Sequence, residues 1–138
     1  MQRSELIEWA KQVRERAYVP YSRFKVGSAL LDSSGRVHLG CNVENAAYGP
    51  TNCAERTALH RAIADGEAPR TFQAIAVVGD TPHPVSPCGV CRQVLVELCA
   101  PDMPVYLANL RGDVTETTVS ALLPGAFTSQ DLDGGTDN

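Results

Sequence analysis

A chain of 138 residues with 43% hydrophobic positions is long enough for one domain with its own core, so no metal is needed merely to staple it together. Its formal net charge of −4, with no Lys/Arg cluster interleaved with aromatics, argues against a nucleic-acid partner and for a small-molecule one. No basic-then-apolar leader follows Met1 and no run approaches the ~20 apolar residues of a membrane span, so a cytoplasmic chain without membrane contact is expected, its five cysteines reduced.

Ser4 can cap a helix whose apolar face is Leu6, Ile7, Ala10, Val13 and Ala17. It should stop before Tyr18-Val19-Pro20, because the residue preceding a proline leaves the helical region. Residues 26–32 read as a strand, Asp32-Ser33-Ser34-Gly35 as a turn, and 37–43 as the hairpin partner with Val37, Leu39, Cys41 and Val43 on one face. Residues 44–52 hold turn formers without a period and read as a loop. A helix is predicted over 54–65, with Ala58, Leu59, Ala62 and Ile63 inside and Gly66 as its stop. Ile75-Ala76-Val77-Val78, within 71–79, has the continuous apolar character of a strand covered on both faces. After a proline-punctuated loop, 88–99 should be helical with Val90, Val94, Leu95 and Leu98 inside. Strands at 104–110 and 114–118 follow, joined by Arg111-Gly112-Asp113 as a hairpin turn, then a short helix at 121–123. This order predicts an α/β class with a mixed sheet of about five strands. From Ser129 the chain is rich in Asp and Gly and is expected to fray.

Pro87-Cys88-Gly89-Val90-Cys91 opens a helix, and C-x-x-C alone fits either a redox dithiol or half a zinc site. His38, His60 and His83 offer no pair with the spacing of a closed zinc site. Cys53-Ala54-Glu55, far upstream, also opens a helix. Together the two segments match the [His/Cys]-x-Glu … Pro-Cys-x-x-Cys pattern of zinc deaminases. Cys53, Cys88 and Cys91 as three ligands would leave the fourth tetrahedral position for water, the mark of a catalytic zinc. Helix N-termini suit thiolate ligands because their orphan N–H groups and positive dipole ends stabilise negative charge. Three thiolates outweigh the charge of Zn²⁺ by one, so Arg56 is expected to donate to a cysteine sulfur and withdraw charge. Glu55 follows a ligand by two residues, placing it near the water rather than the metal, as a proton shuttle. Cys41 and Cys99 lack ligand spacing and read as core thiols.

Three further segments extend the pattern: Tyr18-Val19-Pro20-Tyr21-Ser22-Arg23-Phe24-Lys25-Val26-Gly27, Gly40-Cys41-Asn42-Val43-Glu44-Asn45-Ala46-Ala47-Tyr48-Gly49, and Pro87 through Arg92-Gln93. From about Glu5 to Phe127 the chain resembles cytidine deaminases of the short, three-cysteine type, with Ser28 a small departure where those proteins more often carry Ala. The resemblance implies a three-layer α/β/α cytidine-deaminase-like domain over 1–128, with 129–138 a flexible acidic tail. It implies one Zn²⁺ per subunit, a homotetramer, and hydrolysis of cytidine and deoxycytidine to uridine and deoxyuridine plus ammonia in pyrimidine salvage. Phe24 would stack on or edge the pyrimidine, and the backbone around Ala54 would read its polar edge with help from Glu55. Asn42 and Glu44 would bind the ribose 3′-hydroxyl; strand alternation puts both on one face, and a carboxylate beside an amide suits a hydroxyl. Tyr48 and Phe127 would contribute from neighbouring subunits, and Gln93 would join Arg56 in supporting the ligands. The alternative is a related deaminase of another small substrate such as blasticidin S. Glu44 speaks for a free sugar hydroxyl, since a phosphate would want added Arg or Lys.

Overall fold

The computed structural model describes residues 1–133. In chain order its elements are α1 (Arg3–Arg14), β1 (Val26–Leu31), β2 (Val37–Cys41), α2 (Ala54–Ala64), β3 (Ala74–Gly79), α3 (Gly89–Leu98), β4 (Pro104–Ala108), β5 (Val114–Thr118), α4 (Val119–Leu122) and α5 (Ser129–Leu132). The strands form one sheet in the order β2-β1-β3-β4-β5. β3 and β4 are parallel and the other neighbours antiparallel. A parallel pair needs a crossover, and α3 supplies it. The result is the mixed five-stranded α/β sheet that the sequence predicts.

Alternation along the strands divides the core into two. Ala74, Ala76 and Val78 of β3 face Leu6, Ile7 and Ala10 of α1. Ile75 and Val77 face the opposite way, onto Ala58, Leu59 and Ala62 of α2 and Leu95 of α3. The layers are therefore α1, the sheet, then α2 with α3 and α4. Two glycines set how closely the helices approach. A Cβ on Gly27 would lie 2.0 Å from the Ala10 carbonyl oxygen, and one on Gly40 would lie 2.4 Å from the Ala58 nitrogen. α2 thus rests directly on β2, which fixes where its first turn points. Ser28, wholly buried, satisfies its hydroxyl by donating to the Ala76 carbonyl at 3.1 Å.

Several expectations change in detail. α1 starts at Arg3 with Gln2 as its cap rather than Ser4, the Gln2 N–H donating to Glu5 Oε1 at 3.3 Å. Ala17 lies beyond the end of that helix. Val43 is outside β2 and exposed, held only by isolated bridges to Tyr18 and Asn52. Ile63 and Val90 are also exposed. Ala54 and Glu55 take the inner positions on α2, and the Cys91–Leu95 spacing sets the inward face of α3. Cys41 is half-buried rather than a core thiol, while Cys99 is buried. Arg111-Gly112-Asp113 does form the β4–β5 turn, with Gly112 at φ 90° and Asn109 Oδ1 accepting from the Arg111 and Asp113 backbone N–H groups. Ser129–Leu132, read from sequence as part of the tail, form a helical turn in which the Thr128 N–H donates to Asp131 at 2.7 Å. Residues 134–138 of that tail lie outside the described residues. Among the described residues no helix is long and apolar enough to cross a membrane.

A candidate metal and catalytic site

Cys53 and Cys88 are the N-caps of α2 and α3, both in extended backbone, and Cys91 follows one turn into α3. The Cys91 backbone N–H donates to Cys88 Sγ at 3.5 Å, so the cap also orients the sulfur. Cys53 Sγ and Cys88 Sγ are 3.7 Å apart, and all three sulfurs lie within 4.8 Å of one another. Two thiolates about 2.3 Å from a shared tetrahedral zinc stand about 3.8 Å apart, so this donor set fits that ion.

The local electrostatics separate charge from proton. Cys53 is lowered to about 5, first by a hydrogen bond from Cys91, against burial, and then by Arg56 and Cys88. Cys91 is pushed up, first by that same hydrogen bond, then by burial and the nearby Glu55. The two sulfurs share a hydrogen bond whose proton a metal ion would displace. Arg56 Nη2 donates to Cys53 Sγ at 3.2 Å. Its buried Nε has no hydrogen-bond partner among the described residues. Glu55, 4% exposed, is raised above its ordinary value by burial first, opposed by a hydrogen bond with Cys91, with the Cys53 charge adding to the rise. A buried carboxyl of this kind beside three clustered cysteines is suited to carrying a proton.

Arg92, which the sequence reading leaves without a role, braces the loop behind Cys88. Its guanidinium donates to the Pro87 carbonyl at 2.9 Å, the Leu122 carbonyl at 2.7 Å and Ser86 Oγ at 2.6 Å. The only sequence signal was its place directly after Cys91. Gln93 Nε2 donates to the Phe127 carbonyl at 2.8 Å, tying the C-terminal segment to α3 rather than touching a sulfur.

The residues expected to meet substrate fall into two groups. Asn42 is buried; its Oδ1 accepts from the Val26 N–H at 2.9 Å and its Nδ2 donates to the Phe24 carbonyl at 2.8 Å. It thereby fixes the entry to β1 and keeps one amide hydrogen for another acceptor. Phe24 lies against Gly79, where a Cβ would meet its ring at 3.3 Å. Ala54 is fully buried at the start of α2. Glu44 accepts from the Tyr21 and Ser22 N–H groups at 3.0 and 3.1 Å, and from Ser22 Oγ. The Ser22 hydroxyl first, against desolvation, and these N–H groups hold its carboxyl below the usual value. Ser22 is a partner that sequence reading missed. Glu44, Tyr21, Ser22, Tyr48 and Thr51 line a cleft of about 320 Å³. Tyr48 packs edge-on to Tyr21 at 6.4 Å yet is 76% exposed, and Phe127 is 57% exposed.

The family model for the cytidine and deoxycytidylate deaminase zinc-binding region matches residues 1–107. The chain is 60% identical to a cytidine deaminase of Sporosarcina psychrophila, over 93% of each protein. It is 61% identical to one of Halalkalibacterium halodurans, over 96% of this chain and 98% of that protein. Its structure superposes with a TM-score of 0.91 on the crystal structure of a cytidine deaminase from Burkholderia pseudomallei, at 57% identity, covering 92% of this chain and 100% of that one.

Proposed function

The chain belongs to the cytidine and deoxycytidylate deaminase family, and we propose that it deaminates cytidine and deoxycytidine hydrolytically, with one zinc ion per subunit held by Cys53, Cys88 and Cys91. The observation that carries this reading is the convergence of three cysteine sulfurs at two helix N-termini beside the buried carboxyl of Glu55.

When bound, zinc supplies Lewis acidity that activates water for attack on C4 of the base. Glu55 accepts a proton from that water and delivers it to N3, so C4 becomes tetrahedral as the hydroxyl adds. Glu55 then takes the proton of the C4 hydroxyl and passes it to the exocyclic amine; the C4–N bond breaks, ammonia leaves and the C4 carbonyl of uridine forms. Burial keeps bulk water from competing for that proton and makes the carboxyl basic enough to take it. Arg56 draws off part of the excess thiolate charge through its bond to Cys53. Phe24 edges the pyrimidine and the backbone at Ala54 reads its polar side. The remaining amide hydrogen of Asn42 and the carboxylate of Glu44 hold the ribose 3′-hydroxyl.

The catalytic unit spans residues 1–128. A homotetramer follows as part of the proposal, with exposed Tyr48 and Phe127 completing sites in neighbouring subunits; so do a cytoplasmic location and a role in pyrimidine salvage. The test is a rate panel of cytidine, deoxycytidine, deoxycytidine monophosphate and blasticidin S. Turnover of both nucleosides, with the nucleotide and blasticidin S at least about 100-fold slower in kcat/KM, is expected, a gap on the scale of ~3 kcal/mol. Preference for blasticidin S would overturn the nucleoside assignment in favour of the alternative.

A further inference from the structure

The hairpin turn after β1 and the C-terminal end of α2 meet in a second group of ligand-type side chains, remote in sequence from the cysteines. His38 on β2 is 1% exposed, and its Nε2 is 2.9 Å from Asp32 Oδ2 and 3.9 Å from Glu67 Oε1. Its Nδ1 is 3.0 Å from Asp65 Oδ2. The ligand atoms of Asp32, His38 and Glu67 all lie within 4.8 Å of one another.

Two features distinguish this group from a simple acidic surface. Asp32 is wholly buried, and its other oxygen already accepts from the Ser34 N–H, the Ser34 hydroxyl and the Arg36 N–H, so Oδ2 is aimed at the cluster by the turn itself. Among the described residues, no Lys or Arg pairs with Asp32, Asp65 or Glu67. Three carboxylates therefore surround one imidazole. A single proton on the ring offsets only one of the three charges; Asp32 is wholly buried, whereas Asp65 and Glu67 reach solvent.

We infer that Asp32, His38 and Glu67 form a divalent-cation site separate from the cysteine cluster, with Asp65 accepting from His38 Nδ1–H and so turning Nε2 toward the ion. One imidazole nitrogen with two carboxylate oxygens suits Mn²⁺ or Zn²⁺, and a carboxylate behind the ligand histidine is the usual device for fixing its tautomer. The Asp32–His38 separation of 2.9 Å matches two ligands about 90° apart on one six-coordinate ion, and Glu67, 23% exposed, lies 3.9 Å from the same nitrogen. A cation here would pin the β1–β2 hairpin to the end of α2 opposite Cys53 and Glu55. Its effect is on stability rather than on the chemical step.

The test uses full-length protein carrying one zinc per chain, titrated with MnCl₂ and read by the Mn²⁺ paramagnetic resonance signal and by thermal unfolding. Thiolates favour zinc over manganese, so the probe reports on the oxygen and nitrogen site. Saturable binding of one Mn²⁺ per chain with a raised Tm is expected. Glu67→Gln, at a partly exposed position that leaves the Asp32–His38 pair intact, should weaken binding at least tenfold with zinc content unchanged. Asp65→Asn should weaken it about 10- to 100-fold. No saturable Mn²⁺ binding to the unsubstituted protein, or equal binding by Glu67→Gln, would overturn the inference. Deaminase activity does not enter either readout, so the result is independent of the proposed function.

Discussion

Glu55 and Arg56 sit side by side on the first turn of α2 and serve opposite ends of one problem. In the proposed zinc site three thiolates would over-supply negative charge, and Arg56, which donates to Cys53 Sγ, would return some positive charge. Glu55→Gln keeps the size of the side chain and removes its ability to take a proton. It should retain full zinc by elemental analysis and lose about 10²- to 10⁴-fold in kcat. Arg56→Gln should cost about 10- to 100-fold in zinc affinity or activity, measured by chelator competition and by kcat/KM. Unchanged values of both would show that the thiolate charge needs no relief. The places of the cysteines, Glu55 and Arg56 at two helix starts were legible in the sequence from the Cys-x-Glu and Pro-Cys-x-x-Cys segments. Arg92 and Ser22 were not. Their partners are backbone carbonyls and a carboxylate brought together by the fold, and nothing in local periodicity reports such pairs.

At the scale of elements, β2 and α2 are the parts that aim the chemistry. Gly40 lets the helix backbone touch the strand, with no space for a methyl beside the Ala58 nitrogen or the Ala54 carbonyl. Gly40→Ala should therefore destabilise the fold by about 1–3 kcal/mol or more and lower zinc occupancy, seen as a shifted denaturant midpoint and a reduced metal content. The strand and helix positions were readable from periodicity. The phase of α3 was harder, because a cysteine counted as a ligand also fills the core position that Val90 was expected to take. The β1–β2 turn carries its own signature. Burial alone would raise the Asp32 carboxyl, but the bonds from Ser34, His38 and the Arg36 and Ser34 N–H groups outweigh it and hold the carboxyl below its ordinary value. A carboxyl depressed in the folded state stabilises above its unfolded value of about 4 and loses that contribution as pH falls toward the folded value. Denaturant midpoints followed from pH 6 down to pH 3 should drop more steeply for the native sequence than for Asp32→Asn. Parallel curves would contradict this.

For the whole molecule, α1 and the α2–α3–α4 layer enclose a sheet whose central strand is buried on both faces. The class and the mixed sheet followed from the order of helices and strands. Strand order did not, since only the fold decides that β1 lies between β2 and β3. Within a single chain Cys91 and Glu55 are buried, Cys53 is half-buried and Cys88 is exposed, while Tyr48 and Phe127 are also exposed. All of this converges on one reaction, and one measurement tests it. Zinc-loaded protein and its Glu55→Gln variant, matched in metal content, are mixed with cytidine while absorbance and released ammonia are followed. Stoichiometric conversion to uridine and ammonia by the native sequence, with the variant near background, is the expected result. No turnover by the native sequence, or equal turnover by both, would contradict it.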